Sequence, residues 1–169
     1  MKIDHARLMT DLHRLAEFGK LERGVHRPFL SPQDLQAREW LRQRMEEAGL
    51  EAEIDGIGNV YGRARRVSRA VLIGSHTDTV PNGGWLDGSL GVIYGLEIAR
   101  ARAGSGASAE PGVDVISFAD EESAYLGMAG SRAFCGYLSE PEVEAARHEG
   151  GRSLREALVE AGYGGRPFA

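Results

Sequence analysis

The chain has 169 residues, 42% of them hydrophobic and 27% charged, with a formal net charge of -5. That length fits one domain able to bury a core, and the composition is that of a globular protein rather than a disordered one. The acidic balance excludes a broad nucleic-acid surface, which needs clustered Lys and Arg, and the single cysteine excludes an internal disulfide and a cysteine-based metal site.

A reducing cytoplasm is the simplest compartment for such a chain. No apolar run reaches membrane-spanning length, and the N-terminus lacks the apolar run of a secretory signal. Leu8, Leu12 and Leu15 fall at helical spacing, with Gly19 as a stop. A second helix is better marked: Ser31 can cap it, Pro32 suits its first turn, Asp34 favours its dipole, and Gly49 follows its end. Leu35, Leu41 and Met45 supply its inward face. Leu50, Ala52 and Ile54 alternate as a strand, and Asp55-Gly56 marks a turn into a second strand over Asn59–Gly62. Arg63, Arg65, Arg66 and Arg69 then read as a solvated hairpin or loop.

Ala70–Ser75 is a nearly continuous apolar run, the pattern of a strand buried on both faces. Gly88–Ala103 has helical spacing, Gly104–Gly112 is a small-residue linker, and Val113–Phe118 reads as another buried strand. Strand, helix, strand in that order predicts a βαβ unit in an α/β fold, with a mostly parallel central sheet flanked by helices. Glu142–Arg147 and Ser153–Ala161 are predicted helical, the latter opened by a Ser153/Glu156 capping box. Cys135, between Phe134 and Gly136, reads as a small buried residue rather than a nucleophile.

Ionisable groups concentrate where two strands end, at Ser75–Asp78 with Asp87 beyond, and at Asp120–Glu122. Ligands of open α/β sheets bind outside the carboxyl ends of strands. His76 and Asp78, two apart on extended chain, share a face. The Asp78 carboxylate is therefore placed to hold the ring nitrogen of His76 that does not bind metal. Asp87 lies beyond a Gly-rich turn at the start of a helix, where the dipole favours its charge. Glu121 and Glu122 should point apart, one to bind metal and the other to hold the attacking water. Carboxylates this close repel one another or need cations, and His with carboxylates at an open site is zinc-type ligation. Singly these are weak signals, since a strand-end His is commonly structural and a Glu pair is commonly solvated. His5, His13, His26 and His148 sit in polar contexts and read as surface residues.

Together the stretches are specific. The run Gly-Ser-His-Thr-Asp-Thr-Val-Pro-Asn-Gly-Gly-Trp-Leu-Asp-Gly-Ser-Leu-Gly-Val over 74–92 resembles the metal-binding signature of the hydantoinase/carbamoylase amidases. These form a branch of the zinc aminopeptidase/aminoacylase clan. Phe118–Tyr125 and Gly130–Ala133 resemble its second signature, and Ser31–Arg38 and Asp55–Val60 its opening helix and hairpin. By position, the resemblance implies His76 as ligand of one metal, Asp87 as bridging carboxylate and Glu122 as ligand of the second. It also implies Glu121 as general base and Asp78 as the residue that orients His76. Two divalent ions are implied, zinc first, with Mn, Co or Ni compatible. The implied reaction is hydrolysis of the ureido group of an N-carbamoyl amino acid or allantoate-like small molecule. No nucleic-acid or membrane partner is implied, and full-length relatives are expected to be homodimers. Ser123–Leu126 replace the Gly and Arg that the family carries after the Glu pair. The family also continues into further ligand histidines and a smaller lid or dimerisation domain. Residues 1–169 are thus expected to be the N-terminal part of the catalytic domain. The alternatives are a peptidase or aminoacylase of the same clan, or a truncated non-catalytic product.

Overall fold

A computed structural model describes residues 2–105 and 111–168. Its helices are α1 (His5–Glu17), α2 (Pro32–Glu47), α3 (Ser89–Ala103), α4 (Ala129–Phe134), α5 (Glu140–Ala145) and α6 (Leu154–Glu160). Its strands are β1 (Glu51–Ile54), β2 (Val60–Arg63), β3 (Ala70–His76) and β4 (Gly112–Phe118). Residues 106–110 of the predicted linker lie outside the described residues.

Local chemistry sets the helix starts. Asp4 accepts the Arg7 amide at 3.0 Å ahead of α1, and Ser31 accepts the Asp34 amide at 3.2 Å ahead of α2. Capping boxes open α5, through Ser139 and Glu142, and α6, through Ser153 and Glu156. Each satisfies amides that a helix start otherwise leaves bare. The predicted leucines of α1 are buried, and Leu12, Leu15, Leu41, Met45, Ile93 and Leu96 anchor one core between helices and sheet. Each such side chain contributes about 1.5–3 kcal/mol through burial.

The strand order is β1-β2-β4-β3. β3 and β4 pair in parallel, from Ala70 opposite Gly112 to His76 opposite Phe118. Because the two strands run in step and end together, whatever follows His76 and Phe118 emerges at the same edge.

The α/β class holds, with helices flanking the sheet, but in these four strands only β3–β4 is parallel. β1–β2 and β2–β4 are antiparallel, because the β1–β2 turn returns the chain directly and only β3 to β4 carries a helical crossover. β3 is not buried on both faces: it pairs with β4 alone among the described strands, and Val71 and Leu72 are exposed. On α2 the inward stripe is Asp34, Ala37, Arg38, Leu41 and Met45, with Leu35 only half-buried. A buried ion pair occupies the place the sequence reading gave to Leu35. Cys135 is exposed, because it caps the end of α4 where Gly136 turns the chain at positive φ.

Candidate metal centre

His76, the last residue of β3, Asp87, just ahead of α3, and Glu122, four residues past β4, converge. Each offers one ligand atom, and these atoms lie within 4.8 Å of one another. His76 is buried, Glu122 half-buried and Asp87 exposed, so the cluster opens to solvent on the Asp87 side. The carboxyl-end rule for α/β sheets anticipates this position.

The His76 ring is tightly seated. Its Nδ1 lies 3.0 Å from the carbonyl oxygen of Asp78. A carbonyl has no proton to give, so Nδ1 carries the hydrogen and Nε2 keeps its lone pair for a ligand. On its other side the ring lies against Gly88, where an added Cβ would stand 2.5 Å from Nε2 and Cδ2. Gly88 has φ 62 and ψ -50, a conformation that residues with a side chain rarely adopt.

Asp78 does sit behind His76, but it holds the ring through its main chain. Its carboxylate Oδ1 is 3.8 Å from Nδ1, beyond hydrogen-bond length. Two-residue spacing puts the side chains on one face without saying which oxygen of Asp78 meets the ring. The carboxylate serves the other strand instead, with Oδ2 accepting the Glu122 amide at 3.1 Å. Behind Asp78 lies Arg38, fully buried, with Nε on Asp34 at 2.7 Å and Nη1 on the Gly58 carbonyl at 2.6 Å. Burial works against the charge of Arg38, but Asp34 and Asp78 together hold its pKa above the ordinary range.

A second buried arginine ties the segment after β3 to the helices. Arg27 donates to the carbonyls of Thr77 at 2.7 Å, Leu15 at 2.7 Å and Phe18 at 2.8 Å, and to the Ser89 hydroxyl at 3.3 Å. Burial lowers its pKa to about 10, so it remains a cation at neutral pH. The β1–β2 turn supports the other strand end. Asn59 accepts the Ala119 amide at 2.9 Å and donates to Gly130 and to Asp55.

Acidic groups crowd the opening. Burial, and then the charges of Asp87, Asp78 and Glu121, push the Glu122 carboxyl above its ordinary range against the pull of His76. Oε2 of Glu121 is buried with no hydrogen-bond partner among the described residues. The chemistry of such a set of acceptors is compatible with a divalent cation. Asp120, at φ 49, turns the chain into the Glu pair and accepts the amides of Ala124, Tyr125 and Leu126. Burial raises its pKa to about 6 despite those donors.

His5, His13, His26 and His148 are exposed, as the sequence predicts, and none joins the cluster. The supporting roles of Arg27, Asp34, Arg38, Asn59, Gly88 and Asp120 went unread in the sequence. One signal was available: Asp34 and Arg38 stand at i, i+4 in phase with Leu41 and Met45.

The sequence profile of peptidase family M28 matches residues 57–148, which contain the whole cluster, and the chain belongs to that family. Within it the similarity is to amidases. The chain is 39% identical over 166 residues to the N-carbamoyl-L-amino acid amidohydrolase of Geobacillus stearothermophilus, covering 95% of this chain and 40% of that protein. It is 38% identical over 141 residues to allantoate deiminase 1 of Glycine max, covering 78% of this chain and 29% of that protein. The crystal structure of a hydantoinase/carbamoylase family amidase from Burkholderia phymatum superposes with a TM-score of 0.97 at 49% identity. That match covers 99% of this chain and 42% of the other. The chain thus spans about 40% of the length of the carbamoylase relatives it matches. No helix among the described residues is long and apolar enough to cross a membrane.

Proposed function

We propose that this chain is the N-terminal part of the catalytic domain of a metal-dependent amidohydrolase. The substrate class we assign is a small linear amide: the ureido group of an N-carbamoyl amino acid or an allantoate-like compound. The observation that carries the reading is the convergence of His76, Asp87 and Glu122 ligand atoms within 4.8 Å. The chemistry of the donors fits a divalent ion, with one imidazole whose free nitrogen is defined and two carboxylates in a repulsive acidic setting.

In this reading His76 and Glu122 would each bind one of two ions, zinc first, and Asp87 would bind both. Such ions supply Lewis acidity to the amide carbonyl and to the attacking water. Glu121 takes a proton from that water and returns it to the departing nitrogen as the C–N bond breaks. Asp78 orients His76 through its carbonyl and fixes Glu122 through its carboxylate. The rest of the metal shell and most substrate contacts would come from polypeptide outside these residues, as would the subunit contacts of a homodimer. A cytoplasmic setting accords with the single cysteine.

The match to a peptidase family favours one second reading, hydrolysis of peptides or acylated amino acids at the same centre. A substrate panel separates the two: ammonia released from N-carbamoyl amino acids supports the first, and amino acids released from dipeptides support the second. Glu121→Gln should keep bound metal yet lose turnover on the preferred substrate. Undiminished turnover would remove Glu121 from the role of base.

A further inference from the structure

Asp78 is the point where two of the three ligand-bearing segments meet. Its carbonyl accepts from His76 Nδ1, its Oδ2 accepts the Glu122 amide, and its side chain is fully buried. The remaining oxygen, Oδ1, has no hydrogen-bond partner among the described residues, nor has Nη2 of Arg38. These two buried atoms face each other at 4.0 Å. Arg38 is not free to turn elsewhere. Asp34 holds Nε, the Gly58 carbonyl holds Nη1, and the guanidinium lies 4.8 Å over the Phe29 ring. Asp34 is in turn fixed by the Leu30 amide at 2.9 Å.

We infer that Arg38 is a positioning residue for this centre, a cation locked behind Asp78 that holds that one residue in place, so that its carbonyl fixes the His76 tautomer and its carboxylate the Glu122 backbone. The inference rests on the reading of His76, Asp87 and Glu122 as ion ligands. Without the guanidinium, the buried Asp78 carboxylate would lose the cation 4.0 Å behind it and face the neighbouring acidic groups with only the longer-range charge of Arg27. It would then turn away from them. That movement loosens both hydrogen bonds made by residue 78. A lysine would keep the charge but not the planar fork that lets one group bind Asp34 and Gly58 while facing Asp78.

Two readouts test this. The first needs no metal: long-range proton–nitrogen NMR of the His76 ring in the ion-free protein. The wild type should show one tautomer with the proton on Nδ1, Arg38→Met a mixture of both, and Arg38→Lys a spectrum between them. Arg38→Met strands Asp34 as a buried unpaired charge. Should it fail to fold, Arg38→Met with Asp34→Asn removes that partner too and should show the same mixture. A His76 spectrum unchanged in whichever of these folds would overturn the inference. The second readout is Co²⁺ affinity by competition with a chromophoric chelator, at a temperature where circular dichroism shows each protein folded. Losing a group that orients metal ligands typically weakens affinity about 10- to 100-fold, and that loss is expected here. Equal affinity in the folded variant would overturn the inference. Absence of Co²⁺ binding by the wild type would count against the ligand assignment instead, and the tautomer result would then decide the role of Arg38.

Discussion

Replacing Gly88 by alanine probes the seat of the His76 ring directly. The new Cβ would stand 2.5 Å from Nε2 and Cδ2 and 2.6 Å from Cε1 of the imidazole. Non-bonded carbons settle at about 3.5–4.0 Å, so the ring must withdraw from residue 88 by about 1 Å. The backbone at φ 62, ψ -50 adds its own cost, about 1–3 kcal/mol for a residue forced into such a region. For a chain of this size 1 kcal/mol moves the melting temperature by about 2–4 °C, which gives a fall of about 2–12 °C without metal. The more telling number is the response to metal. At a free ion concentration of 100 Kd the wild type should gain about 2.7 kcal/mol, or about 5–11 °C. Gly88→Ala should lose most of that rise, because its ring no longer meets the other ligands. Thermal melts in chelator and in excess Zn²⁺ measure both quantities. An alanine variant with the full wild-type rise would refute the packing of Gly88 against a ligand imidazole.

Asn59→Ala strips hydrogen-bond partners from the Asp55 carboxylate, the Ala119 amide and the Gly130 carbonyl, all in buried surroundings. The cost should be on the order of 3 kcal/mol, read as a melting temperature about 6–12 °C lower; a shift under about 2 °C would show that the turn relaxes without it. Glu142 tests the capping box of α5. Hydrogen bonds from the Ser139 side chain, from Arg132 and from the Ser139 amide lower its pKa to about 2. A depressed carboxyl stabilises the fold above its ordinary value of 4.5 and loses that contribution as pH falls towards 2. The wild type should therefore lose stability more steeply than Glu142→Gln across that window, and parallel curves in acid denaturation would contradict the sign.

The elements were legible where local rules decide them. Ser31 with Pro32 marked the start of α2, Ser153 with Glu156 that of α6, and the leucine spacing fixed α1. The segments that form the candidate cluster were legible as two short runs of ionisable groups at strand ends, and the choice of His76, Asp87 and Glu122 within them came from the family resemblance. What escaped the sequence is tertiary. The charges Asp34 and Arg38 occupy an inward stripe that apolar counting gives to Leu35, because burial of an ion pair depends on partners such as Gly58 that are distant in sequence. β3 has the composition of a covered strand, yet strand order puts it at the edge of these four. α4 spans only six residues, too short to form on propensity, and it stands because Gly130 approaches the Ala119 carbonyl at 2.7 Å.

Equilibrium dialysis against zinc followed by metal analysis, on the wild type and His76→Ala, tests most directly whether His76, Asp87 and Glu122 form a metal centre. The wild type should retain zinc after removal of free ion, and the alanine variant, still folded by circular dichroism, should lose most of it. A variant that retains as much zinc as the wild type would contradict the assignment of these three residues as ligands.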